Sequence, residues 1–333
     1  MCASKPAGLC AQAHAHWRVF LSCLGGRLEY AKPYLGYEEQ VDKLVGLGMG
    51  GSKADILGRL EQVGYYRLSG YWHDYRRLDG EGFREGTTID AVWSDYVFDR
   101  QFRLAVLDAV ERVEVYTRAR LAHKLARETG AFGFENHEGL PRLGEGDYKR
   151  FIDKCRSKHK ISREPFEVHF RDKYGDTHDI PPYWILVNTM DFGQMLTLYR
   201  GSSVETRNEL SGELGVSARV FESWLVALNV VRNVCAHHGR LWNKELGVKP
   251  VIPKHDVRWH EPYEVRPHRM FSMLTILGYL LDYVAPSTSW RNRLVGLLDG
   301  RGADKLRRMG FAEGWRECPF WKPHASDSGD KAD

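Results

Sequence analysis

The chain is short of cysteine, of long apolar runs and of net charge, and each shortage removes a class of protein. Its six cysteines in 333 residues are Cys2, Cys10, Cys23, Cys155, Cys235 and Cys318. They form no C-x-x-C pair, which argues against a disulfide framework and fits a reducing compartment. No apolar stretch approaches the ~20 residues of a membrane span. The short piece Val19-Phe20-Leu21 lacks the basic flank and long apolar core of a signal peptide. A cytoplasmic protein with no membrane partner is therefore expected. The formal net charge is only +4, so any nucleic-acid surface has to come from local patches. Internal repeats are lacking, and few segments alternate with period two. Gly48-Met49-Gly50-Gly51-Ser52-Lys53 lacks the G-x4-G-K-[ST] spacing of a phosphate loop, so ATP dependence is not implied and no cofactor is expected.

What is present is helical text. Hydrophobic residues make up 43% of the chain and charged residues 28%, a globular balance at a length that can bury a proper core. Residues 1–29, rich in Ala, Cys, Gly and His, have no sustained period and read as a flexible arm or an extension upstream of the true start. From Tyr30 the pattern becomes regular. Gly36 to Leu44 reads as a helix start. Ser52-Lys53-Ala54-Asp55 has the form of a capping box before Ile56, Leu57 and Leu60. The aromatic run Gly64-Tyr65-Tyr66-Arg67-Leu68-Ser69-Gly70-Tyr71-Trp72 reads as a packed helix junction, with a base-stacking platform as the alternative. Thr88 to Glu128 carries apolar residues at helical spacing from Trp93 to Leu125, predicting one long helix or a kinked pair. Glu114 and Arg118 stand at i,i+4, in the order that favours an ion pair.

Residues 130–180 form a polar insertion. Helices are then predicted through Met195 to Leu198, over 203–215, and from an N-cap at Ser217 along Phe221, Trp224, Leu225, Leu228, Val231 and Cys235, with Gly239 as the end signal. Phe271 to Val284 makes one more apolar helix, and the tail from Pro323 reads as disordered. The fold class is all-α.

The chemistry concentrates in Arg232-Asn233-Val234-Cys235-Ala236-His237-His238-Gly239-Arg240-Leu241-Trp242-Asn243. Asn233 and His237, at i,i+4, share a helix face, and the long Arg232 side chain can reach the same spot while Cys235 faces the core. An imidazole, an amide and a permanent cation are what metal-free RNA cleavage needs. His moves protons near neutrality, Arg offers bidentate donors to phosphate oxygens, and Asn can orient the phosphate. An Arg followed five residues later by His is a weak signal alone, and Arg118 with His123 is a second copy. The surroundings of the 232–237 copy set it apart. Zinc at Cys235, His237 and His238 is not expected, because metal sites need about four convergent ligands and no second cluster with ligand spacing occurs. The insertion adds a basic cluster, Lys149, Arg150, Lys154, Arg156, Lys158, Lys160 and Arg163, with Asp153 opposing. It reads as a solvated face or as a non-specific RNA contact.

Arg232-Asn233-x-x-x-His237 resembles the signature of the HEPN ribonucleases, and the wider text resembles their Abi-like (AbiD/AbiF) branch, implicated in abortive phage infection. Four stretches carry the likeness: Gly64 to Trp72, the helix of Glu111, Glu114 and Arg118, Pro182-Tyr183-Trp184 with Phe192-Gly193, and Arg232 through Asn243. The resemblance implies one helical domain over 30–322 with a HEPN core of about residues 90–285 and additional helices at both ends. It implies a homodimer that brings two R-x4-H motifs together, and a metal-independent endoribonuclease acting on RNA. Arg232 and His237 match the motif's invariant positions and Asn233 its polar second position. His238, Arg240, Asn243, Glu114 and Arg118 are expected to support them. Restraint of cleavage until infection is also implied, whether by a regulatory RNA, a protein or the oligomeric state. The competing expectations are a non-catalytic RNA-binding or scaffold protein on the same fold, and a toxin of a toxin–antitoxin pair.

Overall fold

The structure is a computed structural model that describes residues 32–322. The expectations for residues 1–29 and for the tail from Pro323 lie outside the described residues. Among the described residues there are thirteen α-helices and no β-strand, only the isolated bridges Gly50–Thr88 and Arg76–Phe83. The all-α reading holds.

The chain divides into two compact units. The first takes residues up to Tyr65 together with Tyr75–Ile89. It holds α1 (Tyr37–Gly46) and α2 (Lys53–Val63), which pack on each other and bury Val41, Leu44, Ile56 and Leu60. The capping signal works as the sequence suggests. The Ser52 hydroxyl accepts from the Asp55 amide at 3.0 Å and starts α2, satisfying one of the donors a helix leaves open at its N-terminus.

The second unit takes Tyr66–Asp74 and Asp90 onward. Most of α3 (Tyr65–Trp72) belongs to it, followed by α4 (Ile89–Thr129), a single helix of 41 residues rather than a kinked pair. The 130–180 segment folds into α5 (Glu145–Ile161) and α6 (Pro165–Tyr174). Its polar composition hides a narrow stripe, Phe151, Cys155 and His159, spaced four apart so that one face of α5 is buried. Then come α7 (Tyr183–Thr189), α8 (Phe192–Gly201), α9 (Val204–Glu213), α10 (Ala218–Ala236), α11 (Met270–Val284), α12 (Trp290–Asp299) and α13 (Ala303–Arg308).

Helix α10 is central to this unit and packs against α8, α9 and α11. Its stripe Phe221, Trp224, Leu225, Leu228, Val231 and Cys235 is buried throughout, and Ser217 caps its N-terminus. Among the described residues no single helix is long and apolar enough to cross a membrane.

Candidate active site

The buried stripe of α10 dictates what its other face presents. With Val231 and Cys235 turned inward, Arg232 is half-buried and Asn233 and His237 are exposed. The helix stops at Ala236, and His237 is its C-cap. The His238 amide donates to the Cys235 carbonyl at 3.0 Å and the Gly239 amide to the Val234 carbonyl at 2.8 Å, the paired bonds of a Schellman ending. The residue in left-handed conformation is His238, with φ 56°, and not the glycine after it. The end signal therefore lies one residue earlier than the sequence suggests. The early stop takes His238 off the regular helix.

Helix α4 supplies the cation's partner. The buried Glu114 carboxylate pairs with Arg118 one turn along and stands 4.0 Å from the Arg232 guanidinium. Arg118 also donates to the Met190 carbonyl at 2.5 Å. Burial pushes the Glu114 carboxyl above its usual range, against the pull of Arg118 and Arg232, and burial lowers the Arg118 guanidinium. Glu114 thus links the expected ion pair on α4 to Arg232 on α10. Arg232 lies 3.4 Å from the Asn233 side-chain oxygen, so cation and amide are neighbours on the surface. The His237 ring forms no hydrogen bond among the described residues.

The loop after the motif is held from below by α3 and α4. Arg67 donates to the His238 carbonyl at 2.7 Å and Arg240 donates to the Gly70 carbonyl. Asp99, fully buried on α4, accepts from the Leu241 and Trp242 amides at 3.1 and 2.6 Å and from the Tyr71 hydroxyl at 2.6 Å. Arg103, one turn on, neutralises it and reaches toward the Gly239 carbonyl at 3.4 Å. Desolvation raises the Asp99 pKa in spite of these donors. Asn243, also left-handed with φ 54°, turns its amide to Asp74 at 3.5 Å. Arg240 and Asn243 therefore shape the loop. The aromatic run is largely a packed junction: Leu68, Tyr71 and Trp72 are buried, and Tyr66 alone of the run's large hydrophobics stands well exposed.

Asp99, Arg103 and Arg67 had no role in the sequence reading. The available signal was an Asp–Arg pair at i,i+4 lying among Phe98, Phe102 and Val106, on a stripe where charge is costly unless paired.

Cys235 is buried, its thiol pushed up to about 12 by desolvation, while His237 and His238 are exposed. The three do not converge. The basic cluster is opposed by more than Asp153. Arg150 pairs with Asp147, Arg156 with Asp153 and Asp179, and Lys154 and Lys158 both with Asp191 at 2.8 and 3.0 Å. Lys149, Lys160 and Arg163 remain exposed without a carboxylate partner among the described residues. His123, on α4, lines a shallow depression of about 550 Å³ with Val115, Arg118, Ala119 and Trp184. Among the described residues no group of three or more His, Cys, Asp or Glu side chains is placed to hold a metal ion.

No curated protein and no solved structure matches the chain. The family model described as Abi-like protein matches residues 58–243, more than half of the chain, from within α2 through the motif to Asn243. The chain belongs to the Abi-like protein family, which is linked to abortive infection.

Proposed function

We propose that the chain is a metal-independent endoribonuclease of the HEPN type, acting in abortive infection, with Arg232 and His237 as its catalytic pair. The observation that carries this reading is the exposed end of α10. Arg232, Asn233 and His237 stand out from a helix whose opposite face is buried, and Glu114 steadies the guanidinium from behind at 4.0 Å.

In this reading the ribose 2′-oxygen attacks the adjacent phosphorus. The 2′-O–P bond forms and the P–O5′ bond breaks. The 2′-hydroxyl proton leaves to a base and the 5′-oxygen takes one from an acid, giving a 2′,3′-cyclic phosphate and a 5′-hydroxyl. His237 carries one of these protons, since imidazole gives and takes protons near neutral pH. Arg232 neutralises charge that builds on the non-bridging oxygens, and Asn233 orients the phosphate. One motif supplies one well-placed imidazole, whereas the reaction uses an acid and a base. The working unit is therefore a homodimer with two motifs facing one phosphate. The half-exposed Val115 and Trp184, beside Arg118, give an apolar margin next to the site that supports such pairing.

The test is RNA cleavage by the purified protein. Wild type cuts in EDTA and leaves cyclic or 3′-phosphate ends, and a 2′-deoxy substitution at the scissile position blocks the cut. His237→Ala and Arg232→Ala each lower the rate by about 10² to 10⁴ with unchanged circular dichroism. Wild-type rates in a folded His237→Ala protein, or 3′-hydroxyl ends, would sink the reading. RNA binding without cleavage in wild type would leave the scaffold alternative standing.

A further inference from the structure

Toward the other end of α10, whose 19 residues span about 28 Å, a depression of about 600 Å³ gathers charge of one sign. Arg142, Arg200, Arg207 and Arg219 line it, and Glu222 is the one carboxylate on its wall. Glu222 is shared between Arg200, at 2.9 Å, and Arg207. Among the described residues no carboxylate pairs with Arg142 or Arg219, both exposed. Four guanidinium groups against one carboxylate leave the lining strongly positive. Such clustering is unfavourable unless an anion or solvent compensates it.

The wall is built rather than incidental. Arg207 is only 7% exposed, lies over the Tyr199 ring at 5.2 Å and has a buried Nε that forms no hydrogen bond. The Val251 amide donates to the Ser223 hydroxyl at 3.0 Å and Trp224 Nε1 donates to the Val251 carbonyl at 2.8 Å. These two bonds fasten the loop that forms one side to α10. Ala218 and Arg219, in the first turn of α10, lie on the lining, so the positive end of a long helix dipole adds to the arginines. Val204, Val226, Val248 and Val251 add apolar surface to the lining. A volume of this size is that of a small-ligand site.

We infer that this pocket binds a nucleotide-sized phosphorylated ligand. The phosphoryl group sits among the arginines and the first turn of α10, and the base or sugar lies along the valines. The same chemistry is offered by a free nucleotide and by the 5′-phosphorylated end of an RNA chain. The inference stands independently of the ribonuclease reading, because none of these residues belongs to the motif.

Calorimetric titration of the full chain tests it, with the four nucleoside 5′-monophosphates, the unphosphorylated nucleosides, inorganic phosphate and a 5′-phosphorylated RNA dinucleotide. The expected result is saturable one-to-one binding of a nucleotide, tighter than that of inorganic phosphate or nucleoside. The variant Arg142→Gln/Arg219→Gln, changed only at exposed positions, weakens it at least about tenfold. Lys149→Gln/Lys160→Gln, which removes the same charge from α5, changes it less than about twofold. Tighter binding of the monophosphate assigns a free nucleotide as occupant, and tighter binding of the dinucleotide assigns an RNA end. The inference is overturned if no probe saturates, if nucleoside or inorganic phosphate binds as well as nucleotide, or if the α5 variant weakens binding as much as the arginine variant.

Discussion

His238 occupies the position where a helix ending of this kind ordinarily carries glycine. Its φ of 56° is left-handed, which costs an L-residue about 1 kcal/mol, although His tolerates it better than most. The backbone bonds that close the helix, and the Arg67 bond to the His238 carbonyl, use no His238 side-chain atom. His238→Gly is therefore expected to keep them all and raise the unfolding free energy by about 0.5–1 kcal/mol in urea titration. His238→Val lowers it by about 1–2 kcal/mol, since a β-branched residue fits this region badly. Lower stability in the glycine variant would contradict the strained ending. The same variant assigns the ring. Greater stability with cleavage intact makes His238 a helix-end residue, and greater stability with cleavage lost gives its imidazole a part in the chemistry.

Between elements, the pair formed by α5 and α8 shows how charge is matched across the chain. Asp191 caps α8, accepting from the Gln194 amide at 2.8 Å, and it also takes Lys154 and Lys158 from α5. Burial pushes its carboxyl up, but the two lysines and the cap bond outweigh burial and hold it at about 2. A depressed folded pKa contributes stability that is complete above the unfolded value of about 3.9 and is lost as pH falls through the folded one. Asp191→Asn keeps a good N-cap and removes the charge. It is expected to be less stable than wild type at pH 5 and above, by about 1 kcal/mol or less after solvent screening, with the gap closing as pH falls from 4 toward 2. A gap that stays constant in thermal unfolding across that range would refute the ion-pair account. This pairing also shows what a sequence conceals. The Ser52 and Ser217 caps, the helical stretch of α4 and the apolar stripe of α10 are local patterns, and the text displays them directly. Asp191 lies more than thirty residues from its lysines, so the basic cluster reads as nearly unopposed until the fold closes. Asp99 likewise meets Leu241 and Trp242 only in three dimensions. The motif itself was legible because Arg232, Asn233 and His237 share one helix end. Its support by Glu114 needed the packing of α4 to be known, and the early stop at Ala236 needed the conformation of His238.

At the scale of the whole molecule the question is how many chains make one active site. A single chain offers Arg232 with His237 at one exposed helix end, and the acid and base of the proposed reaction have to come from somewhere. His238 is the next imidazole along the same chain, and its backbone has left the helix at φ 56°, so it is not a neighbour of His237 on a common helical face. A two-fold pairing solves this by symmetry, because the surface that carries one motif then meets its own copy. The decisive preparation is a heterodimer of one wild-type chain and one Arg232→Ala/His237→Ala chain, purified by two different tags. If each phosphate needs groups from both motifs, no complete site remains and RNA cleavage falls far below half the wild-type rate. If each chain works alone, half the sites are intact and the rate stays near half. Trp184→Glu gives the complementary measurement. Trp184 is 55% exposed, so the change is tolerated by the fold, and if two chains pair through this apolar margin the added charge separates them in light scattering and takes cleavage with it. A Trp184→Glu monomer that cleaves at the wild-type rate, or a heterodimer at half activity, would show that the site is complete within one chain.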